Sequence, residues 1–119
     1  MIPLVDMNAV VAALGSRLAA RIDGVMAGGR FILGPEVAEF EATLAAWAGT
    51  PTAVGVASGT DALVLALKLR GVGPGDAVFV PSFTFAATAE AVALVGAMPV
   101  FVEVRADTFN LDPERLAAA

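Results

Sequence analysis

Hydrophobic positions along this chain follow two different periods, and the change falls near residue 50. From Asn8 to Met26 the apolar residues Val10, Leu14, Leu18, Ile22 and Val25 recur at spacings of three and four. That spacing puts them on one face of a helix. Gly28-Gly29 ends the run. A second helix is predicted from about Pro35 to Ala48. Proline suits a first helical position, where a missing N–H costs nothing. Glu36 and Glu39 complement the dipole of the first turn. Val37, Phe40, Leu44 and Trp47 form its expected buried stripe, and Gly49 its C-cap.

Beyond residue 50 short apolar runs alternate with helical ones. Ala53 to Ala57 reads as a short buried strand and Asp61 to Arg70 as a helix capped by Gly71. Gly73-Pro74-Gly75-Asp76 reads as a turn, and Ala77 to Val80 as a strand stopped by Pro81. A helix from about Thr84 or Ala86 to Val95 ends at Gly96. Pro99 to Val104 is a third strand, and Arg105 to Leu111 a loop. Asp112-Pro113-Glu114 supplies the cap and first turn of a last helix. Strands alternating with helices predict an α/β fold with a mostly parallel sheet and flanking helices. A helical extension, about residues 1–50, precedes this βαβαβα layer of about residues 51–119.

Composition sharpens the picture. Hydrophobic residues make up 58% and charged residues 16% of the 119, against roughly 45–50% and about 25% in an average globular chain. This is more core than the surface can cover. It fits a chain that packs against further protein, or one simply rich in alanine. The ending on Ala117-Ala118-Ala119, just after a helix begins, favours the first. The net charge of −5 carries no basic stripe, which argues against nucleic-acid binding. Without cysteine or histidine there is no disulfide framework, no Cys/His metal site and no imidazole base. The stretch Met1 to Asp6 lacks the marks of a signal peptide. The uncharged stretch Ala42 to Thr60 is interrupted by Gly49, Pro51, Gly55 and Gly59, so it reads as a helix end and a strand, not a membrane span. A soluble, cytoplasmic protein is expected.

Three segments are candidates for chemistry. At Ser58-Gly59-Thr60-Asp61 a strand gives way to a helix, presenting unpaired backbone N–H groups and a positive helix end, a ready anion site. Gly59 admits a phosphate close to the backbone, and Ser58 and Thr60 add hydroxyls. The same residues read equally as a plain helix cap. At Pro81-Ser82-Phe83-Thr84-Phe85 two rings follow a strand, either of them able to stack on a flat heteroaromatic ring or to serve as core. Gly28 to Glu36 is a glycine-flanked loop that lines a pocket or only makes a turn.

Several motifs stand together in one order: Phe31-Ile32-Leu33-Gly34-Pro35-Glu36-Val37 with Phe40-Glu41; Ala57-Ser58-Gly59-Thr60-Asp61-Ala62-Leu63; Gly75-Asp76 before Val80-Pro81; Thr84-Phe85 with Ala87-Thr88; and Gly96-Ala97 before Pro99-Val100-Phe101-Val102. In order and spacing they resemble the DegT/DnrJ/EryC1/StrS family of sugar aminotransferases, which use pyridoxal 5'-phosphate (PLP) and have the aspartate aminotransferase (type I) fold.

The resemblance implies roles for particular residues. Gly59 and Thr60, with Ser58 and the Asp61 N–H, would hold the PLP phosphate. Phe85 would stack on the pyridine ring, and Phe83 would be packing. The loop Arg30 to Gly34 would lie near a subunit boundary of a homodimer. The implied activity is amino transfer from an amino-acid donor, often glutamate, to a nucleotide-linked keto sugar in polysaccharide or antibiotic biosynthesis. Glu103 replaces the family's usual aspartate, and Ala77 a common glutamate.

The Schiff-base lysine and the aspartate that pairs with the pyridinium nitrogen would lie beyond Ala119, so these 119 residues alone are expected to be inactive. Lys68 ends a helix away from the phosphate turn and reads as a dipole residue. Three alternatives remain open from the sequence. One is a PLP-dependent sugar dehydratase of the same family, with histidine for the lysine. Another is a non-catalytic truncated product, and the third an unrelated nucleotide-binding α/β domain.

Overall fold

The computed structural model describes residues 4–119. The start of the expected helical extension, and of the stretch read for a signal peptide, lies outside the described residues. The chain divides between Gly55 and Val56 into two compact units.

The first unit is helical. The helix predicted as continuous over Asn8 to Met26 is two helices, α1 (Met7–Leu14) and α2 (Ser16–Gly28). Gly15 lies between them at φ +53, in the left-handed region where a Cβ is disfavoured. Periodicity is blind to such a break, because Leu14 and Leu18 keep their spacing across it. Asp6 caps α1, its carboxylate accepting from the Ala9 N–H at 3.0 Å. The third helix, α3 (Pro35–Ala48), has its predicted bounds, with Pro35 in its first turn and Gly49 as a left-handed cap.

The predicted apolar stripes do not become core. Val10, Leu14, Leu18 and Ile22 are exposed, as are Phe40 (60%) and Trp47 (84%), and Ala45 is the buried residue of α3. The periodicity marks the face that favours burial; here Ile22, Val25 and Phe40 line an open groove and are not packed into a core.

The second unit is α/β. It runs α4 (Gly59–Leu69), β1 (Ala77–Pro81), α5 (Ala87–Leu94), β2 (Met98–Val102) and α6 (Pro113–Ala118). The strands pair in parallel from Ala77↔Met98 to Pro81↔Val102. Helix α5 crosses between them and packs on both, and α4 packs on α5. Val80, Val92, Val95 and Ala97 form the core, flanked by Val64, Leu67, Val72 and Val78. Fully burying a valine such as Val80 or Val92 contributes about 1.5–3 kcal/mol relative to exposure.

The strand expected over Ala53 to Ala57 does not form. The segment carries no ladder, and Val54 is 78% exposed. Its Gly55 N–H donates to the Glu41 carboxylate at 2.6 Å instead of to a neighbouring strand. The third predicted strand is also shorter. β2 stops at Val102, and Val104 forms only an isolated antiparallel bridge with Leu111.

Candidate functional site

The phosphate-site candidate lies at the start of α4. Ser58 is extended (φ −157°, ψ 165°) and caps the helix, its Oγ accepting from the Asp61 N–H at 3.1 Å. The hydroxyl proton is directed to Asp61 Oδ2, also at 3.1 Å. Ser58 thus caps the helix, with its hydroxyl directed to Asp61. The Asp61 N–H, expected near a phosphate, is taken by that cap. Two backbone donors remain. The N–H groups of Gly59 and Thr60, the first two of the helix, have no intrahelical acceptor by the geometry of an α-helix. Thr60 is half-buried and Gly59 exposed.

Gly59 opens the helix in unobstructed space. Its φ is not positive, and a Cβ built on it would meet no atom within 4 Å. Neither backbone conformation nor packing among the described residues calls for glycine here. What the missing Cβ leaves is open space beside two unpaired N–H groups and the positive end of an eleven-residue helix, which fits a phosphate group. Lys68 lies in the last turn of α4. At 1.5 Å rise per residue its backbone is about 13 Å along the axis from Gly59.

The aromatic candidates follow β1. Alternation puts Phe83 and Phe85 on the same side of an extended segment, and the structure separates them. The Phe83 ring packs against Phe109, centroids 5.3 Å apart and planes tilted by 41°. Phe85 is 81% exposed, with no aromatic partner among the described residues. Its carbonyl accepts from the Thr88 N–H at 3.0 Å, and Thr84 and Thr88 share a hydroxyl bond at 2.9 Å. Phe85 is thus anchored by its backbone while its ring is open. The phosphate turn and this loop precede α4 and α5, two helices that pack together.

Sequence reasoning missed what holds this loop. The Ser82 hydroxyl donates to Glu103 Oε1 at 2.7 Å, and the Ser82 N–H to the Val102 carbonyl at 2.8 Å. The Ser82 bond, with help from the Val104 N–H, keeps the Glu103 carboxyl below its ordinary pKa. The sequence carried no signal for it, because Glu103 fell inside the predicted third strand and only the register Pro81↔Val102 sets Ser82 opposite Glu103. Phe109 was not legible either. It sits at φ +57, unusual for a bulky residue, in the loop expected over Arg105 to Leu111.

The loop candidate, Gly28 to Glu36, belongs to the first unit. Gly34 is buried, and a Cβ there would lie 2.6 Å from the Arg30 carbonyl oxygen. Leu33 has φ +49, and Phe31, Ile32 and Leu33 are exposed. A groove of about 510 Å³ in the same unit is walled by Ile22, Val25, Met26 and Phe40. Arg21 and Glu39, paired at 2.6 Å, rim it. None of the predicted cofactor residues lines this groove. Among the described residues there is no acidic or His/Cys metal cluster, and no helix is long and apolar enough to cross a membrane.

Beside its parallel β-α-β layer the chain leaves the N-terminus of α4 open and the Phe85 ring exposed. It matches the crystal structure of a DegT/DnrJ/EryC1/StrS aminotransferase from Brucella abortus with a TM-score of 0.96 at 55% identity, covering 100% of this chain and 32% of that one. The chain belongs to the DegT/DnrJ/EryC1/StrS aminotransferase family, which matches residues 13–119. It is 46% identical over 119 residues to the UDP-2-acetamido-2-deoxy-3-oxo-D-glucuronate aminotransferase of Pseudomonas aeruginosa, covering 100% of this chain and 33% of the relative. The structure of NtdA from Bacillus subtilis with bound cofactor PMP matches at a TM-score of 0.79 and 34% identity, over 82% of this chain and 22% of that one. The chain thus spans about a third of the length of the first of these relatives.

Proposed function

We propose that this chain is the N-terminal segment of a PLP-dependent aminotransferase that transfers an amino group from an amino acid, glutamate by preference, to a nucleotide-linked keto sugar. Family membership supports the reaction class, and the substrate class follows the UDP-sugar aminotransferase to which the chain is 46% identical. When bound, PLP supplies the carbanion stabilisation that amino transfer requires.

The chain's own residues bind and orient. The N–H groups of Gly59 and Thr60 and the Thr60 hydroxyl hold the phosphate, and the dipole of α4 favours its charge. Ser58 and Asp61 fix the turn by their mutual bonds. The Phe85 ring covers one face of the pyridine. Lys68, at the far end of α4, takes no part. The amine that joins the cofactor comes from beyond these residues, so the 119 residues alone do not turn over substrate.

The exposed stripes of α1, α2 and α3 support burial against further protein. The reading is a cytoplasmic homodimer in which residues 30–34 lie near the subunit boundary.

The observation that carries this reading is the open space at Gly59 beside two unpaired N–H groups. Its test is Thr60→Ala in the full-length protein. Losing a hydrogen bond to a charged group costs about 1.5–3 kcal/mol, so PLP affinity should fall roughly ten- to a hundredfold. An unchanged dissociation constant would make Thr60 only a helix residue.

A further inference from the structure

The loop between β1 and α5 carries the ring assigned to the cofactor, yet the ring itself touches no other aromatic group among the described residues. Its position depends on what holds the loop. Pro81 ends β1 and has no N–H to give. The next residue makes two bonds to the end of β2: Ser82 N–H to the Val102 carbonyl, and Ser82 hydroxyl to the Glu103 carboxylate at 2.7 Å. Glu103 also receives the Asp112 N–H on its carbonyl, at 3.0 Å, which ties the returning 105–111 loop to the same point. That loop brings Phe109 onto Phe83. The segment Ser82-Phe83 is therefore clamped from the β2 side by a carboxylate and a ring, and Phe85 is the next aromatic residue outward.

We propose that Glu103 is a positioning residue for the cofactor ring: by accepting the Ser82 hydroxyl it fixes the start of the Ser82–Phe85 loop and so the plane in which Phe85 is presented. This rests on the reading that Phe85 stacks on PLP. Glu103 touches neither cofactor nor substrate and acts only through Ser82.

The test uses the full-length protein and PLP itself, titrated by absorbance and by visible circular dichroism of the bound cofactor. Glu103→Ala and Ser82→Ala should each weaken PLP binding by roughly threefold to tenfold, the scale of one lost hydrogen bond. Each should also diminish the visible dichroic band. The double variant should be no worse than either single one, because both remove the same bond. Glu103→Gln keeps an acceptor for the hydroxyl and should bind PLP within about twofold of the parent. A purely structural role would lower the melting temperature and leave the dichroic band of the bound cofactor as it was. That result, or additive losses in the double variant, overturns the proposal. Phe85→Leu serves as the control: if it weakens PLP binding while Glu103→Ala does not, the bracing role falls and the stacking role stands. If Phe85→Leu itself changes nothing, the stacking assignment falls and the bracing role with it.

Discussion

Phe83 packs its ring on Phe109 at 5.3 Å, and this contact distinguishes it from Phe85, two residues on. A tilted pair at that distance contributes about 0.5–1.5 kcal/mol beyond area burial. Phe83, although 68% exposed, is held by an aromatic partner, and Phe85, 81% exposed, has none among the described residues. Phe85→Leu keeps most of the apolar volume and removes the π-face. In the full-length protein it should weaken PLP binding by about 0.5–1.5 kcal/mol and leave the melting temperature near the parent's. Phe83→Leu should do the reverse, lowering the melting temperature and sparing PLP. Opposite outcomes for the two variants would mean that the rings have exchanged roles.

Gly34→Ala tests a close approach. Gly34 has φ −71 and ψ 172, which alanine adopts freely, so backbone strain is not the obstacle. The obstacle is contact: the new Cβ would stand 2.6 Å from the Arg30 carbonyl oxygen and 2.8 Å from Glu36 Oε2. The Glu36 side chain can turn away; the Arg30 carbonyl moves only with the 30–34 loop. A loss of about 1–3 kcal/mol is expected, the usual cost of overpacking. Urea unfolding of the full-length protein measures it, and a variant as stable as the parent would show that the loop yields.

The Arg21–Glu39 pair predicts a titration. Arg21 donates to both Glu39 oxygens, at 2.6 and 2.8 Å, and this bonding, with its Coulomb attraction, lowers the Glu39 pKa and raises that of Arg21. A carboxylate with a depressed folded pKa contributes stability above its unfolded pKa and loses it as pH falls through the folded value. The pair is exposed, so the effect on stability is small and salt-sensitive. The carboxyl carbon shift of Glu39, followed by NMR, should titrate below that of an unpaired glutamate, and Arg21→Gln should move the midpoint upward. A midpoint indifferent to Arg21→Gln would contradict the pair.

How much was legible follows from the range over which each signal acts. Helix α3 was readable to its ends, because Pro35, the acidic first turn and Gly49 are local signals that act on the backbone next to them. β1 was readable because Pro81 stops it. Ala53 to Ala57 was misread: an apolar run states a preference for burial, while a strand needs a neighbour, and Gly55 finds Glu41 instead. Gly15 was passed over because apolar spacing along the sequence does not register a left-handed residue between two helical runs. At the site, the phosphate turn and Phe85 came from linked motifs. The commitment of Ser58 to Asp61, and of Phe83 to Phe109, depends on three-dimensional partners that spacing does not encode.

Gly59→Ala tests the cofactor cradle most directly, because fold and function pull in opposite directions there. A Cβ at Gly59 meets no protein atom within 4 Å. Alanine is favoured over glycine in a helix, though less at its first residue than in its interior, so the variant should melt no lower than the parent. If the open space beside the first N–H groups of α4 receives the PLP phosphate, the added methyl should crowd it, and the PLP dissociation constant of the full-length protein should rise tenfold or more, on the order of 1.4 kcal/mol. A Gly59→Ala protein that binds PLP as tightly as the parent would contradict the account.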